Sequence, residues 1–138
     1  MSGQIIWFKD CSYENKHLVG GKCSSLGELH AISRRIGFSI GDGFAITTEM
    51  YDDFVENNDL GPKIEKMLAT INTENIKELE EKTKELRDVI CGASLTESQI
   101  AAISIGYYDM CKLYNRENIE VAVRSSALAE DLPNASFA

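Results

Sequence analysis

The sequence contains no apolar run near the roughly 18 residues that a membrane-crossing helix needs. Its first residues, Met1-Ser-Gly-Gln4, show no basic stretch followed by an apolar one, the pattern of a secretory leader. Both absences give the expectation of a cytoplasmic protein with no membrane partner. Histidine is scarce, with only His17 and His30. The four cysteines, Cys11, Cys23, Cys91 and Cys111, form no C-x-x-C pair, so a zinc site is not expected. Free thiols, mostly buried as small hydrophobes, are expected instead. Positive charge is in deficit: 14 Lys and Arg stand against 22 Asp and Glu, for a net charge of -8. Such a surface repels phosphodiester backbones, which argues against nucleic acid as a partner. A small anion remains compatible, because a few local cations and backbone N–H groups outweigh a distant global field. No internal repeat, low-complexity tract or linker interrupts the chain.

What is present is an ordinary globular composition, 43% apolar and 26% charged over 138 residues, which suggests one domain with a single core. Gln4–Phe8 reads as a first strand and Phe44–Ile46 as a second, after a turn at Gly41-Asp42-Gly43. Between them, Ser25 and Glu28 have capping-box spacing at the start of a helix. Its inner face is expected to be Leu26, Leu29, Ser33 and Ile36, and Gly37 its stop. Thr47 or Thr48 is placed to cap a helix that turns Met50, Tyr51, Phe54 and Val55 inward and ends at Asn57-Asn58. Pro62 suits the first turn of a short helix through about Leu68. Ile76, Leu79, Thr83, Leu86 and Ile90 mark one stripe of a long charged helix closed by Gly92. Thr96 and Gln99 open another, striped by Ile100, Ile103, Tyr107, Met110 and Tyr114. These last two helices are expected to pair as a hairpin. Ile119, Val121 and Val123 alternate as a half-buried strand. The order of elements predicts α+β, or α/β with few strands, and a domain left unfinished after its last strand.

Two places could carry chemistry. Gly20-Gly21-Lys22 precedes Ser24 and Ser25 at a helix start. Glycines allow close backbone approach, a helix N-terminus presents unpaired N–H groups, and a lysine adds a full charge, which together suit a phosphate. The spacing is not that of a Walker A motif, and a plain turn with a solvated lysine fits as well. The second place is Arg124, at the carboxyl end of the last expected strand, followed by Ser125 and Ser126. A guanidinium can hold two phosphate oxygens at once, and ligands collect at that end of α/β sheets. Pairing with Glu130 or Asp131 is the competing role for this arginine. Glu130 and Asp131 themselves suit a loop or a helix start better than catalysis, and His30 suits packing.

Three segments resemble the pyruvate phosphate dikinase and phosphoenolpyruvate synthase family. Val19-Gly-Gly-Lys-Cys-Ser-Ser-Leu-Gly-Glu28 is similar to the family's V-G-G-K-N-A-S-L-G-E. Gly41-Asp-Gly-Phe-Ala-Ile-Thr-Thr-Glu-Met-Tyr51 is similar to P-P-G-F-x-[IT]-T-T-x-A-[YF]. Val121-Ala-Val-Arg-Ser-Ser-Ala-Leu-Ala-Glu-Asp-Leu-Pro-Asn-Ala-Ser-Phe-Ala138 is similar to the synthase branch's V-A-V-R-S-S-A-T-A-E-D-L-P-x-A-S-F-A. The resemblance covers essentially the whole chain, with the three segments in the family's order.

It implies the N-terminal subdomain of an ATP-grasp nucleotide-binding domain, few-stranded with a helical insertion, spanning 1–138 as part of a larger domain. It implies ATP as cofactor, with Lys22 and Arg124 on its phosphates and weaker contributions from Gly20, Gly21, Ser125 and Ser126. The Mg²⁺ ligands, the phosphohistidine domain and the pyruvate/phosphoenolpyruvate domain of the family have no counterpart in the sequence. The implied reaction is ATP, pyruvate and water to AMP, phosphoenolpyruvate and phosphate, with no turnover by 1–138 alone. Alternatives are a non-catalytic module that pairs with a partner chain or as a homo-oligomer, and the matching part of an antibiotic phosphotransferase or dikinase. Three departures stand out: Cys23 for asparagine, Gly41-Asp42 for a proline pair, which predicts a looser turn, and Leu128 for threonine.

Overall fold

A computed structural model describes residues 3–128 except Thr73. Glu130 and Asp131, the alternative partners of Arg124, lie outside the described residues. Where length suggests one core, the chain forms two units. One is built from the chain up to Tyr51 together with the chain from Glu97; the other is Asp52–Thr96.

The first unit is organised on a two-stranded antiparallel sheet, β1 (Ile5–Trp7) and β2 (Phe44–Ile46). Ile5 faces Ile46, Ile6 faces Ala45, and Trp7 faces Phe44. The Trp7 and Phe44 rings meet edge to face with centroids 5.7 Å apart, a favoured aromatic geometry. The Phe8 N–H donates to the Gly43 carbonyl at 3.0 Å, and the Thr47 N–H to the Gln4 carbonyl at 3.1 Å, extending the ladder at both ends. A short 3₁₀ turn, Phe8–Asp10, leads from β1 toward α1 (Lys16–Ile36). Cys11, Val19 and Ala45 form the core, with Ile6, Phe8, Leu18 and Cys23 packed around it.

Helix α1 departs from the expected one in start and in face. It begins at Lys16, breaks at Gly20, where φ is 78° and ψ is 173°, and resumes through Ile36, so Ser25 is interior. Its buried positions are Val19, Gly20, Gly21, Ser24, Gly27 and Ser33; of the expected face Ser33 is buried, but Leu26, Leu29 and Ile36 are not, and Ile36 is 71% exposed. The reason is close approach. A Cβ on Gly27 would stand 1.9 Å from the Cys11 carbonyl oxygen. The small residues let the chain at Cys11 lie directly on the helix, and larger side chains are pushed outward. Gly37 ends the helix as expected, left-handed at φ 82° with its N–H on the Ser33 carbonyl.

Helix α2 (Thr48–Asn57) starts under the Thr47 hydroxyl, which accepts from the Met50 N–H at 3.2 Å. Met50 is buried as expected, whereas Tyr51 is exposed. Helix α5 (Glu97–Leu113) buries Gln99, Gly106, Met110 and Cys111. Gln99 Nε2 donates to the Met50 carbonyl at 3.0 Å. Gly106 is where the sheet meets α5: a Cβ there would stand 2.8 Å from Ile5 Cδ1 and 2.9 Å from Phe44 Cε1.

The second unit holds α3 (Leu60–Leu68) and α4 (Ile76–Cys91), packed on one another. Asn75 caps α4, accepting from the Glu78 N–H. Asn58 ties the unit together: its side chain donates to the Phe54 carbonyl at 2.8 Å and the Ser94 carbonyl at 3.0 Å, and accepts from the Ser94 N–H. The expected α4–α5 hairpin pairs helices that lie in different units. Helix α4 belongs with α3, while Gly106 commits α5 to β1.

The expected strand Ile119–Val123 is not one: among the described residues it has no ladder partner, and Val123 is 94% exposed. The alternation of its side chains is a real pattern, but a strand exists only where another strand supplies its hydrogen bonds. The fold is thus α-rich α+β, with five helices and one small sheet among the described residues.

Two glycine substitutions separate close approach from mere flexibility. Gly27→Ala drives a methyl into backbone atoms and should cost about 3 kcal/mol, the upper range for overpacking. Gly61→Ala meets nothing within 4 Å inside α3 and should instead stabilise by about 0.5–1 kcal/mol. Urea denaturation of both variants checks the opposite signs.

Candidate nucleotide-phosphate site

The break in α1 is where two distant segments interlock. With φ at 78°, residue 20 sits in a region that L side chains avoid, and a Cβ there would stand 1.8 Å from the Ser126 carbonyl oxygen. Only glycine meets both conditions. Breaking the helix leaves the Val19 carbonyl and the first N–H groups of the resumed helix without helical partners. Ser126 satisfies both sides. Its hydroxyl donates to the Val19 carbonyl at 2.8 Å and accepts from the Cys23 N–H at 3.2 Å. The Gly21 N–H donates to the Ala127 carbonyl at 3.4 Å.

The structure thus brings Gly20, Gly21 and Ser126 into direct contact, across more than a hundred residues of sequence. Lys22 lies between two residues whose N–H groups hold the 126–127 segment, and Arg124 precedes Ser126 by two residues. Summed along these contacts, the Cα atoms of Lys22 and Arg124 are no more than about 15 Å apart. Lys22 is half-buried; Arg124 and Ser125 are exposed. The Ser126 hydroxyl donates its proton to Val19 and so holds the turn.

The chain reaches this place from α5 through Tyr107. The Tyr107 hydroxyl donates to the Ile119 carbonyl at 3.0 Å and accepts from the Ile119 N–H at 3.2 Å. This pair of hydrogen bonds to one residue fixes where the 119–128 segment leaves the helix. In the sequence, Tyr107 reads only as packing, and nothing in its spacing signals the clamp. The Gly41-Asp42-Gly43 turn is likewise held more firmly than its lack of prolines suggests. The Asp42 N–H donates to the Tyr114 hydroxyl at 2.9 Å, and its carboxylate meets His30 Nε2 at 3.3 Å. A proline at 42 has no N–H, so the Tyr114 bond depends on this departure. His17 is exposed, and its carbonyl accepts from Thr48 Oγ1.

A glycine-bounded helix start with a lysine in its first turn, adjoined by a segment bearing an arginine, is the kind of arrangement that suits a phosphorylated ligand. Comparison with known proteins agrees with that class. Residues 16–138 match the family described as pyruvate phosphate dikinase, AMP/ATP-binding domain, and the chain belongs to it. It is 37% identical over 134 residues to the phosphoenolpyruvate synthase of Aquifex aeolicus and 38% identical to that of Helicobacter pylori. With the phosphoenolpyruvate synthase of Neisseria meningitidis serogroup B the identity is 39%. These alignments cover 97% of this chain but only 16% of the Aquifex and Helicobacter proteins and 17% of the Neisseria protein.

Removing the Ser126 hydroxyl tests the interlock. Ser126→Ala leaves the Val19 carbonyl and the Cys23 N–H without this partner and should cost about 1–2 kcal/mol. Hydrogen exchange should show faster exchange at Gly21 and Cys23 in the variant, with the amides of α4 unchanged.

Proposed function

We propose that this chain supplies the N-terminal part of the ATP-binding domain of a phosphoenolpyruvate synthase-like phosphotransferase, with Lys22 and Arg124 on the nucleotide's phosphates. The observation that carries the reading is the interlock of the Gly20–Cys23 turn with Ser126–Ala127, which sets these two cations on adjoining segments. An ATP-grasp subdomain is the fold that accompanies this reading, and the cytoplasm its setting.

The division of labour follows from the side chains. Gly20 gives its Cβ space to the Ser126 carbonyl and so shapes the turn, while Gly21, also without a Cβ, lets the turn lie close to a phosphate oxygen. The Lys22 ammonium acts as a compact point charge, while the Arg124 guanidinium can take two oxygens in one plane. Phosphoryl transfer depends mostly on positioning and on neutralising charge, and these two residues contribute to both. Among the described residues, no group of three or more His, Cys, Asp or Glu is arranged to hold a metal. The Mg²⁺ expected with the nucleotide is not assigned to them, and no step is routed through it. Transfer to a histidine and then to pyruvate, giving AMP, phosphoenolpyruvate and phosphate, belongs to the domains that the longer relatives possess beyond the matched segment.

A chimera tests the assignment. Residues 1–138 replace the matching segment of the Helicobacter pylori synthase, and kcat/KM for ATP is measured with pyruvate present. Lys22→Ala and Arg124→Ala should each lower it by about 10²-fold or more, in the range seen when one charge-stabilising donor is removed. Lys77→Ala, on the exposed face of α4, should leave it unchanged. Equal activity in all three would make Lys22 and Arg124 ordinary surface cations.

A further inference from the structure

The two cysteines beside the Gly20 break carry an inference that the nucleotide reading does not use. Cys11 is buried in the core of the first unit, and Cys23, half-buried, packs against the same cluster. Their separation is bounded by the close approach at Gly27. The Cys11 Cβ lies 2.7 Å from where a Cβ on Gly27 would stand. Cys23 is one helical turn before Gly27 on the same face of the resumed helix, and Cβ atoms four residues apart on a helix are about 5–6 Å apart. The two cysteine Cβ atoms are therefore separated by between about 3 and 9 Å, a range that includes the roughly 3.5–4.5 Å of a disulfide.

We propose that Cys11 and Cys23 are a redox-modification site that closes to an intramolecular disulfide when the protein meets a low-molecular-weight disulfide such as oxidised glutathione. Cys23 is the thiol that the oxidant reaches, because Cys11 is buried. Burial, then the neighbouring Cys23, then Asp10 push the Cys11 thiol up to about 12, so it stays protonated at neutral pH and reacts second. In the first step the Cys23 sulfur loses its proton, attacks the external disulfide and expels one thiolate, which takes up a proton. In the second, the Cys11 sulfur loses its proton, attacks the Cys23 sulfur and expels the other external thiolate. Two protein thiols are oxidised and one external disulfide is reduced to two thiols.

The consequence falls on the interlock. Cys23 follows Lys22 directly, and its N–H holds Ser126. A bond from Cys23 to Cys11 ties the resumed helix to the chain before it, while Cys11 gives up the thiol proton that it donates to the Trp7 carbonyl at 3.3 Å. The proposal requires only the two thiols and stands whether or not nucleotide binds.

Peptide mapping tests it. The chain is treated with oxidised glutathione, blocked with iodoacetamide and cleaved with trypsin, which separates Cys11 on peptide 10–16 from Cys23 on peptide 23–34. The expected product is 10–16 joined to 23–34, two hydrogens lighter than the sum of the reduced peptides. It should be lost in Cys23→Ser and kept in Cys91→Ser. Glutathione adducts without the joined peptide, or joining of either peptide to Cys91 or Cys111 in its place, would overturn the proposal.

Discussion

One serine hydroxyl bridges a broken helix, and the geometry of the candidate site depends on it. The break at Gly20 exposes a carbonyl on one side and amide donors on the other, and Ser126 answers both. A hydroxyl suits the task because it can donate and accept at once. Glycine is required on the other side, since the Ser126 carbonyl occupies the space of a Cβ on residue 20. The pairing is mutual: without the glycine the segment cannot approach, and without the serine the break leaves polar groups without partners. Lys22 and Arg124 owe their common neighbourhood to this contact.

Elements around the interlock serve to present it. The two-stranded sheet is small, but its Trp7–Phe44 contact and the approach of Gly106 to Ile5 and Phe44 seat it on α5. The same helix then uses Tyr107 to launch the 119–128 segment toward Gly20. From Ile119 onward that segment has no ladder of its own among the described residues, and its valines are open to solvent. Its position rests on the Tyr107 clamp at one end and the Ser126 interlock at the other.

Local signals in the sequence were good guides to where elements stop and poor guides to what they face. Gly37, Asn57 and Gly92 mark helix ends because capping chemistry is local, and the structure ends α1, α2 and α4 there. Apolar periodicity misleads on α1, where Leu26, Leu29 and Ile36 are not buried and Gly21, Ser24 and Gly27 are, beside the expected Ser33. Close packing by small residues leaves no apolar stripe to read. The seat of α5 on β1 is hidden for a related reason: Gly106 makes it, while Ile100 and Tyr114 of the expected stripe are exposed. At the candidate site, the pairing of the glycine turn with the Arg-Ser-Ser segment was legible through resemblance. That Ser126 would hold the turn was not, because a serine beside an arginine gives no sign of which carbonyl it will meet.

The central claim is that the Gly20 turn and the Ser126–Ala127 segment are in contact in the folded chain. Nuclear Overhauser spectroscopy of the isotope-labelled protein measures this directly. The contact predicts cross-peaks from the Cys23 amide proton to the Ser126 β protons and from the Gly21 amide proton to the Ala127 backbone. Assigned resonances for both segments with no cross-peak between them would contradict it.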